Sequence, residues 1–342
     1  MTYRETFSRS LEILYAAHCG HACLVDVFQE ISASWNYRDV TSGPGFSSGV
    51  TKVGCPFEFS VSLSRNRAPK TRFIADPGIQ TSREEVGMIL SRCAGMPCRI
   101  FGIELPQSLQ NVFAMLRANY RGGPGQHAIW IGAEQDGAAI SGLKYYFNPC
   151  VFSTDRLSLI SQLASTCGLG SSFMTAIVDV EKKCRPLFHE LGGVGIDLST
   201  NGAIELKLYY WRRENLPDKL AEVISRYSLR SDEMLQVLEF TKHRSGKLLA
   251  CFQYCQNAKQ LRLGKLDFRS ESFFDTDLEL LSWVRCTVGD FEPNKRVIDC
   301  LLENAGKTGG KYRLTTYLSI GARDVTVYFM PLLGTGISFL SS

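Results

Sequence analysis

The chain has 342 residues, of which 44% are hydrophobic and 21% charged, and its 38 basic and 34 acidic side chains leave a formal net charge of +4. This composition excludes a disordered chain, which would be poor in apolar residues, and it argues against a dedicated nucleic-acid binder, which would concentrate basic charge. A chain of this length divides into two domains by default, unless it closes into a barrel.

The N-terminal segment and the cysteines predict where the protein works. Glu5, Arg9 and Glu12 interrupt the first 22 residues at helical spacing, so this segment lacks the apolar stretch of a signal peptide. No stretch reaches the roughly 18 consecutive apolar residues of a membrane helix. The 12 cysteines include no Cys-x-x-Cys pair, and we expect reduced thiols. The expectation is a cytoplasmic protein, a monomer or weak homodimer, without membrane or nucleic-acid partners.

In chain order, one pattern of elements returns five times. Two amphipathic helical segments are followed by two strand-like runs joined by a turn, which predicts a hairpin at the end of each unit. The first strands lie at residues 56–63, 127–132, 194–198, 249–254 and 314–320, and the second at 71–77, 143–149, 206–211, 264–268 and 325–331. The clearest helical segments are 105–120, 157–167, 173–188, 216–227, 234–240, 278–284 and 297–304. Internal repetition of this kind decides the architecture.

Helix start signals agree with this division. Thr81, with Glu84 three residues later, predicts a capping box, and Pro293 fits the first turn of the last helix. Ten antiparallel strands form a sheet long enough to curl, and closure removes its unpaired edges. The pattern therefore favours one closed barrel with helices outside.

Strand alternation sorts the residues onto two faces. Residues two apart share a face. One face is apolar and suits the helices: Phe57, Phe59, Leu143, Phe147, Leu206, Leu208 and Phe329. The other is polar and faces the lumen: Glu58, Ser60, Ser62, Arg72, Lys144, Tyr146, Lys207, Tyr209, Lys265, Asp267, Thr326 and Tyr328. A polar lumen in a barrel indicates a ligand.

The residue types in the lumen indicate which ligand. Arg72, Lys144, Lys207 and Lys265 would be costly to bury unpaired, and a polyanion would offset that cost. Diphosphate fits, because Arg binds it bidentately and Lys binds it as a point charge. Tyrosine faces stabilise a cation and exclude water. Together these residues predict an allylic diphosphate, which provides both an anion and a carbocation.

Each of these residues also has a simpler interpretation. Glu58 is equally compatible with a carboxylate paired to a neighbouring arginine, and the lysines with solvent-facing strand positions. The tyrosines are also good sheet formers, and Trp130 is either an aromatic wall of the pocket or a core residue. His127 and His189 have no evident carboxylate partner in the sequence, which favours structural roles.

The ordered set of motifs resembles the ABBA-fold aromatic prenyltransferases, in particular their indole (dimethylallyltryptophan-synthase-like) branch. The matching motifs are GCPFEFS at 54–60, TRFIADP at 71–77, LKYYFNP at 143–149 and LKLY at 206–209. The resemblance implies an α+β fold, a barrel of ten antiparallel strands surrounded by about ten helices in five ααββ repeats. It implies a single domain, 1–342, with units at about 1–78, 79–150, 151–213, 214–270 and 271–342.

The resemblance also implies roles for individual residues. Glu58 would accept the indole N–H. The diphosphate would be bound by Arg72, Lys144, Lys207, Lys265, Tyr146, Tyr209 and Tyr328. The allylic cation would be shielded by Tyr146, Tyr209, Tyr317 and Tyr328, with Trp130 as a candidate wall. The implied reaction transfers a dimethylallyl or geranyl group to an indole-containing bacterial secondary metabolite, with cyanobacterial alkaloids of the hapalindole or ambiguine type as one acceptor class.

Two carboxylates depart from the family pattern. Glu205 stands where an arginine often precedes the Lys-x-Tyr of the third unit, and Asp267 stands where a tyrosine is common. Carboxylates beside phosphate oxygens suit Mg²⁺, so Asp267 is a candidate metal ligand, although no cofactor is expected to be obligatory. There is no Asp-Asp-x-x-Asp motif, and the pair at Asp275 and Asp277 reads as a helix start.

Three other functions were weighed. A non-catalytic isoprenoid carrier would need an apolar lumen, which four inward cations argue against. A prenyltransferase acting on a phenolic acceptor would keep the same barrel and differ only in the acceptor. A Schiff-base lyase on a parallel barrel could use one of the lysines, but hairpins contradict parallel strands.

Overall fold

The computed structural model describes residues 1–18, 23–46, 48–51, 54–123, 126–153, 155–184, 190–212, 248–255, 260–308, 313–321 and 324–332. The statements below concern these residues.

Ten strands close into one barrel. They are β1 (Phe57–Ser64), β2 (Arg67–Ala75), β3 (Ile129–Asp136), β4 (Ala139–Phe147), β5 (Glu190–Ser199), β6 (Ile204–Arg212), β7 (Leu248–Cys255), β8 (Gln260–Arg269), β9 (Thr315–Gly321) and β10 (Val325–Phe329). Each strand pairs antiparallel with its sequence neighbour, and β1 pairs with β10 to complete the ring. Gly137 and Gly202 have positive φ angles of 62° and 81° in two of the hairpin turns, a conformation that glycine adopts without strain. The predicted hairpins and closed antiparallel barrel are confirmed.

Helices surround the barrel in pairs. The described helices are α1 (Tyr3–His18), α2 (Leu24–Ile31), α3 (Arg83–Phe101), α4 (Gln107–Asn119), α5 (Arg156–Thr166), α6 (Gly170–Cys184), α7 (Ser270–Phe273), α8 (Asp277–Val288) and α9 (Glu292–Lys307). A pair precedes the first, second, third and fifth hairpins. The predicted helices at 216–227 and 234–240, which would form the fourth pair, lie outside the described residues. In the part of the chain described, no helix is both long and apolar enough to span a membrane.

Local signals set the helix ends, with one difference from the prediction. The capping box of α3 is formed by Ser82 and Glu85, one residue after the predicted Thr81 and Glu84. Thr81 also donates to the Glu85 carboxylate, so the consecutive hydroxyl residues made the choice ambiguous from sequence. Pro293 lies in the first turn of α9, as predicted.

The hydrophobic core fills the layer between the barrel wall and the helices. Phe57, Phe59 and Phe329 are fully buried on the outer face of the sheet. Phe7 of α1 stacks on Phe28 of α2 with ring centroids 3.8 Å apart, and both pack against Phe57. Because the apolar faces of the strands point outward into this layer, the polar faces are left to line the lumen.

Candidate active site

The lumen holds a cavity of about 490 Å³ that residues of all ten strands line. The predicted site residues Glu58, Arg72, Trp130, Lys144, Tyr146, Lys207, Tyr209, Lys265, Asp267, Tyr317 and Tyr328 all line it. They come from eight different strands, so only closure of the barrel brings them together. The site is therefore a property of the fold rather than of any one loop.

The four cations of the lumen are paired with carboxylates. The guanidinium of Arg72 contacts Glu134. Lys144 Nζ lies 2.6 Å from Asp197 Oδ2, and Lys207 Nζ lies 2.5 Å from the same oxygen. Carboxylates of the chain itself thus relieve the cost of burying these cations, for which the sequence indicated a polyanion.

Sequence reasoning missed two of these carboxylates. Glu134 lies two residues beyond Gly132 on β3, and Asp197 lies two residues beyond Gly195 on β5, so both follow the alternation that sends side chains inward. The same alternation identified Glu58 on β1. Applied to the first strand of every hairpin, it would have found both residues.

Ionisation states follow from these contacts. Burial raises the pKa of Glu134, but the charges of Arg72 and Lys144 outweigh that effect and lower the pKa to about 2. Burial lowers the pKa of Lys144, an effect that Asp197 partly opposes. Burial likewise disfavours the charged form of Lys207, but Asp197 outweighs it and raises the pKa. Burial also raises the pKa of Asp197, but Lys144 and Lys207 outweigh this effect and hold the pKa well below its usual range. Both carboxylates are thus ionised at neutral pH, and the collar of Arg72, Lys144, Lys207 and Lys265 is a network of charges rather than four free cations.

Four tyrosines line the lumen beside the cations. The rings of Tyr146 and Tyr209 lie 6.0 Å apart between centroids, and those of Tyr317 and Tyr328 lie 6.3 Å apart. Lys265 Nζ lies 5.2 Å from the Tyr328 ring centroid, within cation–π range, and it donates to the Tyr328 hydroxyl at 2.8 Å. An allylic cation at this level would face aromatic rings instead of water.

A glycine on β5 makes room for the first tyrosine pair. A Cβ at Gly195 would lie 3.0 Å from Tyr209 Cε2 and 3.5 Å from Tyr146 Cδ1. The two rings therefore extend over a strand position that has no side chain. A larger residue here would push them into the cavity.

Glu58 is a buried carboxyl group with one free oxygen. Thr316 Oγ1 donates to Glu58 Oε1 at 2.5 Å, and Oε2 has no partner among the described residues. Burial raises the pKa of Glu58 to about 8; the hydrogen bond from Thr316 opposes this rise, and the charge of Asp267 adds to it. Glu58 can therefore accept a hydrogen bond from an aromatic N–H, and it titrates near physiological pH.

Asp267 lines the lumen and forms an ion pair there. Its Oδ1 accepts from Lys265 Nζ at 2.9 Å, and the residue is almost fully buried. Across the described ranges, no group of three or more His, Cys, Asp or Glu side chains is arranged to hold a metal ion. The role of Asp267 as a magnesium ligand stays a prediction, and no step below depends on it.

The lumen mouth contains a histidine–aspartate pair that the sequence did not reveal. His127 Nδ1 lies 3.2 Å from Asp76 Oδ2, and the fully buried Asp76 also accepts from Gln80 Nε2 at 3.0 Å. The His127 ring lies beside Trp130, a half-buried residue of the cavity wall. Asp76 ends the TRFIADP motif 51 positions before His127, so only the pairing of β2 with β3 brings them together. His189 lies outside the described residues.

Comparison with known proteins identifies the fold. Neither a protein-family model nor a curated protein sequence matches the chain. A solved 6-dimethylallyl tryptophan synthase is 19% identical, with 97% of this chain and 96% of that one covered and a TM-score of 0.78. The 5-dimethylallyltryptophan synthase from Streptomyces coelicolor is 16% identical over 97% and 98% of the two chains, with a TM-score of 0.74. The prenyltransferase PriB, solved with L-tryptophan and dimethylallyl thiolodiphosphate, is 17% identical over 96% of each chain, with a TM-score of 0.77. The chain thus has the ABBA barrel of these prenyltransferases.

Proposed function

We propose that the protein is an aromatic prenyltransferase that transfers a dimethylallyl or geranyl group from its diphosphate to an indole-containing small molecule. One observation carries the proposal: a single lumen combines the cationic collar, the rings of Tyr146, Tyr209, Tyr317 and Tyr328, and the buried Glu58. PriB, which has the same fold, binds L-tryptophan together with a dimethylallyl diphosphate analogue, and this supports the pairing of substrates.

The first step of the proposed reaction breaks the allylic C–O bond. The electron pair leaves with the diphosphate, and the collar of Arg72, Lys144, Lys207 and Lys265 stabilises the charge that develops there. Electrostatic stabilisation of this kind is the largest contribution in many enzymes. Tyr146 stays protonated because burial raises its pKa, so its hydroxyl can donate to the diphosphate.

The second step joins the aromatic ring to the cation. A ring carbon attacks the allylic cation, a C–C bond forms, and the resulting arenium ion gives the proton at that carbon to the released diphosphate, which restores aromaticity. Ionised Glu58 accepts the indole N–H and increases electron density in the ring, and a positioned base contributes roughly a hundredfold or more to rate. The tyrosine rings exclude the water that would otherwise capture the cation.

The polar lining disfavours the alternative of an isoprenoid carrier. A carrier would surround an uncharged chain with apolar side chains, whereas this cavity contains four cations and several carboxylates. The acceptor is the remaining question. Glu58, with one free carboxylate oxygen, suits an indole N–H, and a phenolic acceptor would use the same oxygen for its O–H.

The test is incubation of the protein with dimethylallyl diphosphate and a panel of indoles and phenols, followed by mass spectrometry. The expected result is an indole product heavier by one prenyl unit, lost in Glu58→Ala. Product from phenols alone would replace the acceptor assignment, and no product with any acceptor would overturn the enzyme assignment.

We also propose an intracellular location, in keeping with the nine free thiols among the described cysteines.

A further inference from the structure

Charge alternates in sign along half of the barrel wall. On five consecutive strands, β2 to β6, five inward residues alternate in sign: Arg72, Glu134, Lys144, Asp197 and Lys207. Arg72 is in register with Glu134, and Lys144 is in register with Asp197. Each cation of this arc therefore already has an anionic neighbour on an adjacent strand.

Asp197 lies between the two lysines of this arc. Its Oδ2 accepts from Lys144 Nζ at 2.6 Å and from Lys207 Nζ at 2.5 Å, so one oxygen bridges two ammonium groups. Its Oδ1 is buried and has no hydrogen-bond partner in the described part of the chain. A non-bridging phosphate oxygen between two lysines would make the same contacts as Oδ2.

The arc has almost no net charge. The three cations and two carboxylates of the arc leave one positive charge, and Glu205, 3.1 Å from Lys207 and 45% exposed, opposes it. Lys70, on the same face of β2 as Arg72, is balanced by Asp136, 2.7 Å away. The fourth cation, Lys265, is paired with Asp267. An incoming diphosphate must therefore compete with these carboxylates for the cations, because the lumen is not a site of high positive potential.

We propose that Asp197, supported by Glu134, is an internal counter-ion that competes with the diphosphate for the collar lysines. This inference rests on the proposed function and concerns the regulation of the same site. In the empty lumen Asp197 keeps Lys144 and Lys207 charged and ordered. When the diphosphate leaves after transfer, Asp197 takes both ammonium groups back, which weakens product binding and speeds its release.

The test measures binding of inorganic diphosphate by isothermal titration calorimetry to the wild-type protein and to Asp197→Asn. Removing one negative charge beside two buried lysines should tighten binding on the order of tenfold or more. Unchanged or weaker binding by a folded Asp197→Asn protein would overturn the proposal, because a purely structural carboxylate predicts that outcome.

Two further variants complete the experiment. Glu134→Gln provides the same test if Asp197→Asn does not fold, and it should also tighten binding, while unchanged binding would count against the proposal. Asp299→Asn is the matched control, since it removes a half-exposed carboxylate from α9, outside the barrel, where its partner is Arg285. Its affinity should stay within roughly twofold of wild type; equal tightening there would show a non-specific charge effect. Failure of the wild-type protein to bind diphosphate at all would instead remove the proposed diphosphate site.

Discussion

Turnover should rise with pH because Glu58 must be ionised to accept the aromatic N–H. Burial raises the pKa of this carboxyl to about 8. With that value, about one tenth of the protein carries ionised Glu58 at pH 7 and about nine tenths at pH 9. The expected kcat with an indole acceptor therefore increases about tenfold between these two pH values.

The assay must separate Glu58 from the collar. Burial lowers the pKa of Lys144, so loss of its proton at high pH would weaken binding of the prenyl diphosphate. Turnover is therefore measured by chromatography of the prenylated product, with both substrates saturating at every pH. Glu58→Gln keeps the shape of the side chain and removes its titration, so its lower rate should stay flat over the same range.

Stability provides an independent readout of the same pKa. Because the folded pKa lies above the ordinary value of 4.5, folding favours the protonated carboxyl. Wild-type stability should consequently fall as the pH rises from about 4.5 through about 8, and Glu58→Gln should remove that part of the loss.

A flat wild-type turnover rate between pH 7 and pH 9, or the same rise in rate in Glu58→Gln, would refute the role of ionised Glu58.

Three other substitutions test separate parts of the structure. Gly195→Ala places a Cβ 3.0 Å from Tyr209. We expect hydrolysis of dimethylallyl diphosphate to rise roughly three- to tenfold relative to transfer, measured as the ratio of prenyl alcohol to prenylated product. An unchanged ratio would count against shielding of the cation by the tyrosine rings. His127→Ala removes one partner of the buried Asp76 and should lower the free energy of unfolding by about 1–3 kcal/mol in urea titrations, whereas no loss would show the pair to be dispensable. Phe7→Ala should cost about 3–5 kcal/mol by the same measurement, and a much smaller loss would contradict its central place in the outer core.

The barrel was predictable because its signal is local and repeated. Each hairpin has its own alternation and turn, so five weak signals reinforce one another, as the polar series from Arg72 to Thr326 shows. The direction of Lys144 and Tyr146 followed from the same period of two. The one-residue difference at the α3 cap arose because Thr81 and Ser82 are both good N-caps, and only their geometry selects Ser82.

Pairings across the barrel were not predictable in the same way. Asp197 meets Lys207 through strand register, but His127 meets Asp76 from positions far apart in the chain, and no local pattern marks that contact. The raised pKa of Glu58 likewise depends on burial and on Asp267 two strands beyond β10, which only the closed barrel determines. Sequence alternation thus indicates which face a residue occupies, and tertiary structure decides which partner it meets.

The central claim is that the lumen holds an allylic diphosphate at the collar with an aromatic acceptor beside Glu58. A crystal structure of the protein with dimethylallyl thiolodiphosphate and an indole tests it most directly. We expect diphosphate oxygens within hydrogen-bond distance of Arg72, Lys144 and Lys207, and the indole N–H directed at Glu58 Oε2. A diphosphate bound outside the lumen, or an acceptor with no contact to Glu58, would contradict it.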